Sequence, residues 1–463
     1  MKRRKFIQLT SAAAAAIPSV SYLSAHVLPP PFETVLKNGK MFLNGKWQTG
    51  HVGVESSGKI TLLTSLPTEG NIMDVGGQVI SPGFIDILAD NAANPERTYK
   101  VFEKYKVTDG VTTALQMHGG SEKCGWYYEY FGKQPHYINF GISVFVMRIR
   151  LAYNQLADRK RVVQQCLDDG ALAVSHSIEY QPTPYPEVLE YAKLAKKYDR
   201  PFFLHLRYSS QSQELEGVAE AIKIARESGA RVHIDHLHST GGTFSMPSAL
   251  DLIRKANKEG LQITCCVYPY SYWATYLHSK RFDEGWRDRY GLDYHDLRLV
   301  GTGERLTAES FARYRKLQKL AAVPEGTLPL DKTVDLALKE DFCMIGSDGG
   351  IETEQANNHP RGAGCFATAM KHGQKIGVPL EKMIEKMTLL PRSLALPVMK
   401  NRGVLENGAQ ADLTVFDPTT INGRASVENP NQFSAGIKLV MVNGKIAYQD
   451  GKLGTTAGVG LKF

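Results

Sequence analysis

Between residues 80 and 350 short apolar runs alternate with longer amphipathic stretches. Eight runs have the length and the Val, Ile and Phe content of buried strands: VISPGFIDI, VTTALQM, INFGISVFV, ALAVSHSI, FFLHLR, VHIDHLH, ITCCVYPY and CMIGSD. Most intervals repeat apolar residues at helical spacing, as in PEVLEYAKLAKKY before the fifth run and ELEGVAEAIKIARESG before the sixth. Eight strand–helix units predict an α/β protein closed as a TIM-type (β/α)8 barrel, which typically takes about 250 residues and more with insertions. A doubly wound open sheet is the competing architecture. It is disfavoured because no Gly-x-Gly-x-x-Gly loop follows the first run.

Both ends of the chain have another rhythm. Residues 32–79 read as short strands and turns, with the hairpin signal Asn-Gly at Asn38-Gly39 and Asn44-Gly45. Near the other end ADLTVFDP and IKLVMVNGKIAYQDGKL alternate again, turning on Asn443-Gly444. The pattern predicts a small β-sandwich built from residues 32–79 and 400–463, outside a barrel spanning 80–399. The interval 271–341 is too long for one helix and is rich in aromatic and charged residues. It is expected to cover the barrel mouth as a lid, or else to pack on the rim as a subdomain.

The first 25 residues, MKRRKFIQLTSAAAAAIPSVSYLSA, run from basic to Ala-rich to small, the order of a secretory signal. Arg3-Arg4 resembles a twin-arginine export signal, so the expected location is the periplasm, with no stable membrane span after processing. Lys2, Arg3, Arg4 and Lys5 supply four of the +8 formal charges. The remainder is too small and too dispersed to argue for nucleic acid. Six cysteines without Cys-x-x-Cys spacing imply neither a zinc knuckle nor a disulfide framework.

Candidate chemistry sits at the tips of the apolar runs. FFLHLR carries His205, VHIDHLHS carries His236 and CMIGSD ends on Asp348. At the C-terminal ends of parallel barrel strands these side chains share one mouth, and two histidines with an aspartate there are what a metal-hydrolase site requires.

In order, PGFID, GVTT, GALAVSHSIEYQP, FLHLR, HIDHLHSTGG, YPY, TGERLT, MIGSDG, HPRGAG, KMTLLPRSLALP and ADLTVFDP resemble the N-acyl-D-amino-acid deacylase (D-aminoacylase) branch of the amidohydrolase superfamily. The resemblance covers nearly everything after the leader. It implies a metal-dependent hydrolase of linear amide C–N bonds, with a small N-acyl amino acid as substrate. Where that branch carries a His-x-His metal pair, this chain has Leu88 and Asp90. Where it carries a Cys or Glu ligand after GVTT, ALQMHGG places His118, and no lysine stands in ALAVSHSI to form a carbamate bridge. The implied centre is therefore one Zn2+ per chain on His118, His205 and His236, three nitrogen ligands leaving a position open for water. Asp348 is implied as the catalytic proton carrier, with Arg207, Tyr268, His359 and Arg361 around the substrate. His176, His233 and His238 are read as structural. Two other readings stay open: a barrel that has lost catalysis and keeps its pocket for binding, which the missing His-x-His pair favours, and a related amidase or dipeptidase.

Overall fold

The computed structural model describes residues 32–67, 71–89, 95–351 and 357–463. The segment read as an export signal and Asp90 lie outside these residues. All eight apolar runs form parallel strands of one sheet: β1 Phe84–Asp86, β2 Val111–Ser121, β3 Asn139–Phe145, β4 Val174–Ser177, β5 Phe202–His205, β6 Val232–Ile234, β7 Ile263–Val267 and β8 Cys343–Ile345. They pair in chain order from β1 to β8.

The seam between β1 and β8 closes through a bridge from Ala89 to Gly349 and a buried polar knot. Lys106 donates to Asp86 Oδ2 and to Ser347 Oγ, both at 2.8 Å, and the Ser347 amide donates to Asp86 Oδ1 at 3.0 Å. A buried ammonium is tolerated there because each polar atom has a partner. Helices cover the outside of the barrel by their apolar stripes. Tyr185–Lys197 buries Val188, Tyr191, Ala192 and Ala195, an i, i+3, i+4, i+7 set. Inside, Ile85, Leu88, Leu115, Met117, Phe203, Cys266 and Met344 form one apolar cluster. Leu88 thus places hydrocarbon where the resemblance implies a ligand.

The first run splits at Gly83, where any side chain would collide with Thr112. Val79–Pro82 leaves the barrel and pairs with Leu413–Phe416, joining both termini in one nine-stranded sheet. Leu36, Val52 and Ile60 share a core there with Leu413, Leu439 and Met441. Asn44-Gly45 and Asn443-Gly444 make tight turns with positive φ at both residues, as a two-residue hairpin demands. Asn38-Gly39 does not. Asn38 (φ 61°) lies within the strand Phe32–Leu43 at a register shift, its side-chain amide donating to Asp74, so this Asn-Gly makes a bulge.

The interval 271–341 holds a three-stranded sheet, Ala274–Tyr276, Arg298–Leu299 and Leu320–Ala322, with an aromatic core of its own. Trp286 stacks on Phe311 at 5.6 Å and meets Phe282 edge-on at 5.3 Å. No described helix is long and apolar enough to cross a membrane.

One buried acid fixes the helix Arg361–Lys375 against the barrel. Asp109 accepts from the amides of Phe366 and Ala367 and from the Ser434 hydroxyl, just past the non-helical Gly364. Burial pushes its carboxyl up to about 7, against the pull of those hydrogen bonds. The folded protein then holds a proton that the unfolded chain has already released, so stability falls as pH rises from about 4 to about 7. Asp109→Asn is expected to flatten the pH dependence of Tm across that window, as melts at stepped pH would show.

Candidate metal centre

Three imidazoles meet at the C-terminal mouth of the barrel. His118 stands in β2 where the register to β3 shifts between Gln116 and Ser121. Gly120 (φ 84°) permits the shift, since a Cβ there would lie 2.1 Å from the Ser143 carbonyl oxygen. His205 is the last residue of β5 and shares the inward face of Phe203. His236 lies two residues past β6 with φ 27°, its amide donating to Cys266 Sγ at 3.2 Å. One ring nitrogen from each of the three lies within 4.8 Å of the others.

The opposite nitrogens decide what these rings offer. His118 Nδ1 is 2.7 Å from Asp235 Oδ2, and His205 Nε2 is 2.9 Å from Glu179 Oε2. Carboxylates accept, so those nitrogens carry the protons. His236 Nδ1 is 3.0 Å from Ser239 Oγ, a hydroxyl that also reaches the His236 carbonyl at 3.1 Å. His205 Nδ1, the ring nitrogen turned away from Glu179, and His236 Nε2 face each other at 3.1 Å. A cation held by the three rings would take up these facing nitrogens. Burial drives both imidazoles below their ordinary pKa, His236 far below, with neighbouring histidines adding to it; for His205 the Glu179 contact pulls the other way. Neutral imidazoles with outer nitrogens held by carboxylate or hydroxyl are the donor set of a histidine-bound metal. The residues present fit a zinc ion.

Asp348 lies three residues beyond β8, its Oδ2 3.9 Å from His236 Nε2. Its φ of 47° is left-handed. Such backbone costs about 1–3 kcal/mol and clusters at working sites. Arg361 holds it there, donating from Nε to the Asp348 carbonyl and from Nη2 to Oδ2, both at 2.7 Å. The guanidinium also lies over the Tyr268 ring, 4.4 Å from its centroid.

The other substrate candidates fare differently. Arg207 is committed to Glu220 on the helix Glu214–Ser228, with two guanidinium nitrogens on its two oxygens at 2.8 and 2.6 Å. That pairing takes up the Nε/Nη2 edge of its guanidinium. His359 stacks on Tyr272, accepts the Arg361 amide at Nδ1 and faces the Tyr272 carbonyl at Nε2, so both its ring nitrogens are occupied by backbone. Tyr268 is buried between Arg361 and His238. His176 and His233 bond Thr183 and Thr264, as structural histidines do.

Sequence reasoning missed Glu179, Asp235, Ser239 and Arg281. Asp235 and Ser239 flank His236 within HIDHLHS, and a carboxylate ending a buried apolar run was the available signal. Burial pushes the Glu179 carboxyl up, but His205, Arg281 and Ser209 outweigh it and hold it below its ordinary value. Asp235 moves the other way: burial raises it, and His118 opposes only in part.

A family model, Amidohydrolase family, matches residues 98–447, well over half of the chain. The N-acyl-D-glutamate deacylase of Alcaligenes xylosoxydans xylosoxydans is 27% identical over 457 residues, 87% of this chain and 90% of that protein. The D-aminoacylase of the same organism is 25% identical over 422 residues, 82% of this chain and 86% of that one. Among solved structures, N-acyl-D-glutamate deacylase from Bordetella bronchiseptica, complexed with zinc and a phosphonate inhibitor, superposes with a TM-score of 0.78 at 22% identity, covering 94% of this chain and all of that one. A β/α barrel carrying a sheet from both termini, imidazoles converging at its mouth and a family match over most of the barrel lead to one conclusion: the chain belongs to the amidohydrolase family.

Proposed function

We propose that the protein is a one-zinc deacylase that hydrolyses N-acyl-D-amino acids to a D-amino acid and a carboxylate. The observation that carries this reading is the convergence of His118, His205 and His236, within reach of an Asp348 clamped by Arg361. The likeness to the Alcaligenes deacylases supports the substrate class. When bound, zinc supplies Lewis acidity toward the acyl carbonyl and toward water. Asp348 takes the proton from the attacking water and returns it to the leaving amine nitrogen. Arg361 keeps that carboxylate aimed at the centre, and the remaining N–H groups of its five are the donors for the substrate carboxylate.

A panel of N-acyl-D- and N-acyl-L-amino acids, followed by release of free amine, tests the reading. Turnover of D-substrates is expected. A zinc-loaded protein inactive across the panel would favour the second reading, a binding protein, for which the buried Leu88 at a former ligand position speaks. Arg3-Arg4 supports export to the periplasm. Replacing both with lysine is expected to leave the protein in the cytoplasm, and an unchanged periplasmic yield would contradict it.

A further inference from the structure

We infer that Glu179 is a positioning residue through which the insertion 271–341 holds the metal centre together: Arg281 anchors Glu179, and Glu179 anchors His205. This rests on the zinc site proposed above. Each carboxylate oxygen has work assigned. Oε1 accepts the Ser209 hydroxyl at 2.5 Å, while Oε2 takes His205 Nε2 at 2.9 Å and Arg281 Nη2 at 3.3 Å.

Glu179 lies just past β4 and Arg281 lies in the insertion, so one carboxylate joins a barrel tip, a metal ligand and the lid. The cation itself is held firmly. Its guanidinium packs 5.3 Å from the Trp273 centroid and 5.9 Å from that of Tyr180. The turn that carries it is pinned by Arg315, which donates to the carbonyls of Leu277 and Phe282 and pairs with Asp283. The next residue, Phe282, is buried in the insertion's aromatic core. Arg281 is therefore a fixed post, and Glu179 reaches across from it to His205.

The consequence is energetic. A carboxylate accepting from the outer nitrogen of a ligating histidine fixes the ring and raises its basicity, and losing such a partner typically weakens metal binding by about 10–100-fold. Because the hydrogen bond from Arg281 to the site goes through Glu179, removing both should cost little more than removing Glu179. Independent packing roles would instead multiply.

Zinc affinity, measured by competition with a chromophoric chelator, tests this without any substrate. Glu179→Gln is expected to raise the Kd by about 10–100-fold. Arg281→Met should raise it by a smaller factor, and the double variant should match Glu179→Gln. Arg281→Lys keeps the stem and the charge and should recover part of the loss. Equal Kd for the parent, Arg281→Met and Arg281→Lys would overturn the inference, as would losses that multiply in the double variant. A parent that binds no zinc would instead contradict the metal site itself.

Discussion

Replacing His205 or His236 with alanine is expected to strip the protein of zinc and of deacylase activity together. Each ring supplies one of three converging nitrogens, and a two-nitrogen remnant lacks the donor set that holds zinc in a catalytic site. Each substitution also leaves an outer partner stranded: Glu179 loses His205, and Ser239 loses His236. Metal analysis of the purified variants gives the answer, and full zinc retention in both would remove these residues from the site. Leu88→Ala is the control. Leu88 belongs to the apolar cluster inside the barrel, so its truncation should destabilise the fold by about 2–5 kcal/mol without changing zinc content.

Asp348→Asn is expected to keep zinc and substrate binding while lowering turnover by about a hundred- to ten-thousand-fold, the usual worth of a general acid–base group. The amide keeps size and polarity and can still meet Arg361 through its oxygen, so the arrangement Arg361 imposes should survive. What it cannot do is accept the proton. The loss should therefore appear in kcat and kcat/KM alike, with little change in KM. An Asn variant that turns over at the parent rate would exclude Asp348 from proton transfer.

Much of the barrel was legible because its strands are buried on both faces and read as short, nearly continuous apolar runs, while helices between them keep a 3.6-residue stripe. The split at Gly83 was not, since VISPGFIDI is one apolar run and only the clash with Thr112 divides it between two sheets. Asn38-Gly39 misled for a related reason. The dipeptide encodes positive φ, and whether that becomes a hairpin or a bulge depends on the partner strand.

At the site, His205 and His236 were visible as polar tips of apolar runs. Arg207 had the same appearance, yet its partner Glu220 is a helix residue thirteen positions away, and side-chain pairing of that kind has no periodic signature. Glu179 and Arg281 lie 102 residues apart and meet only because the insertion folds back over the mouth. Asp235 and Ser239 flank His236 in sequence, but their use as outer partners follows from ring orientation, which a string of letters does not carry.

The most direct test is a zinc titration of the metal-stripped protein, read as hydrolysis of an N-acyl-D-amino acid. Three converging imidazoles, with the buried Leu88 offering no donor, predict activity that is absent at the start, rises with added zinc and saturates at about one equivalent per chain. Hydrolysis by the stripped protein, or saturation only at two equivalents, would contradict the account.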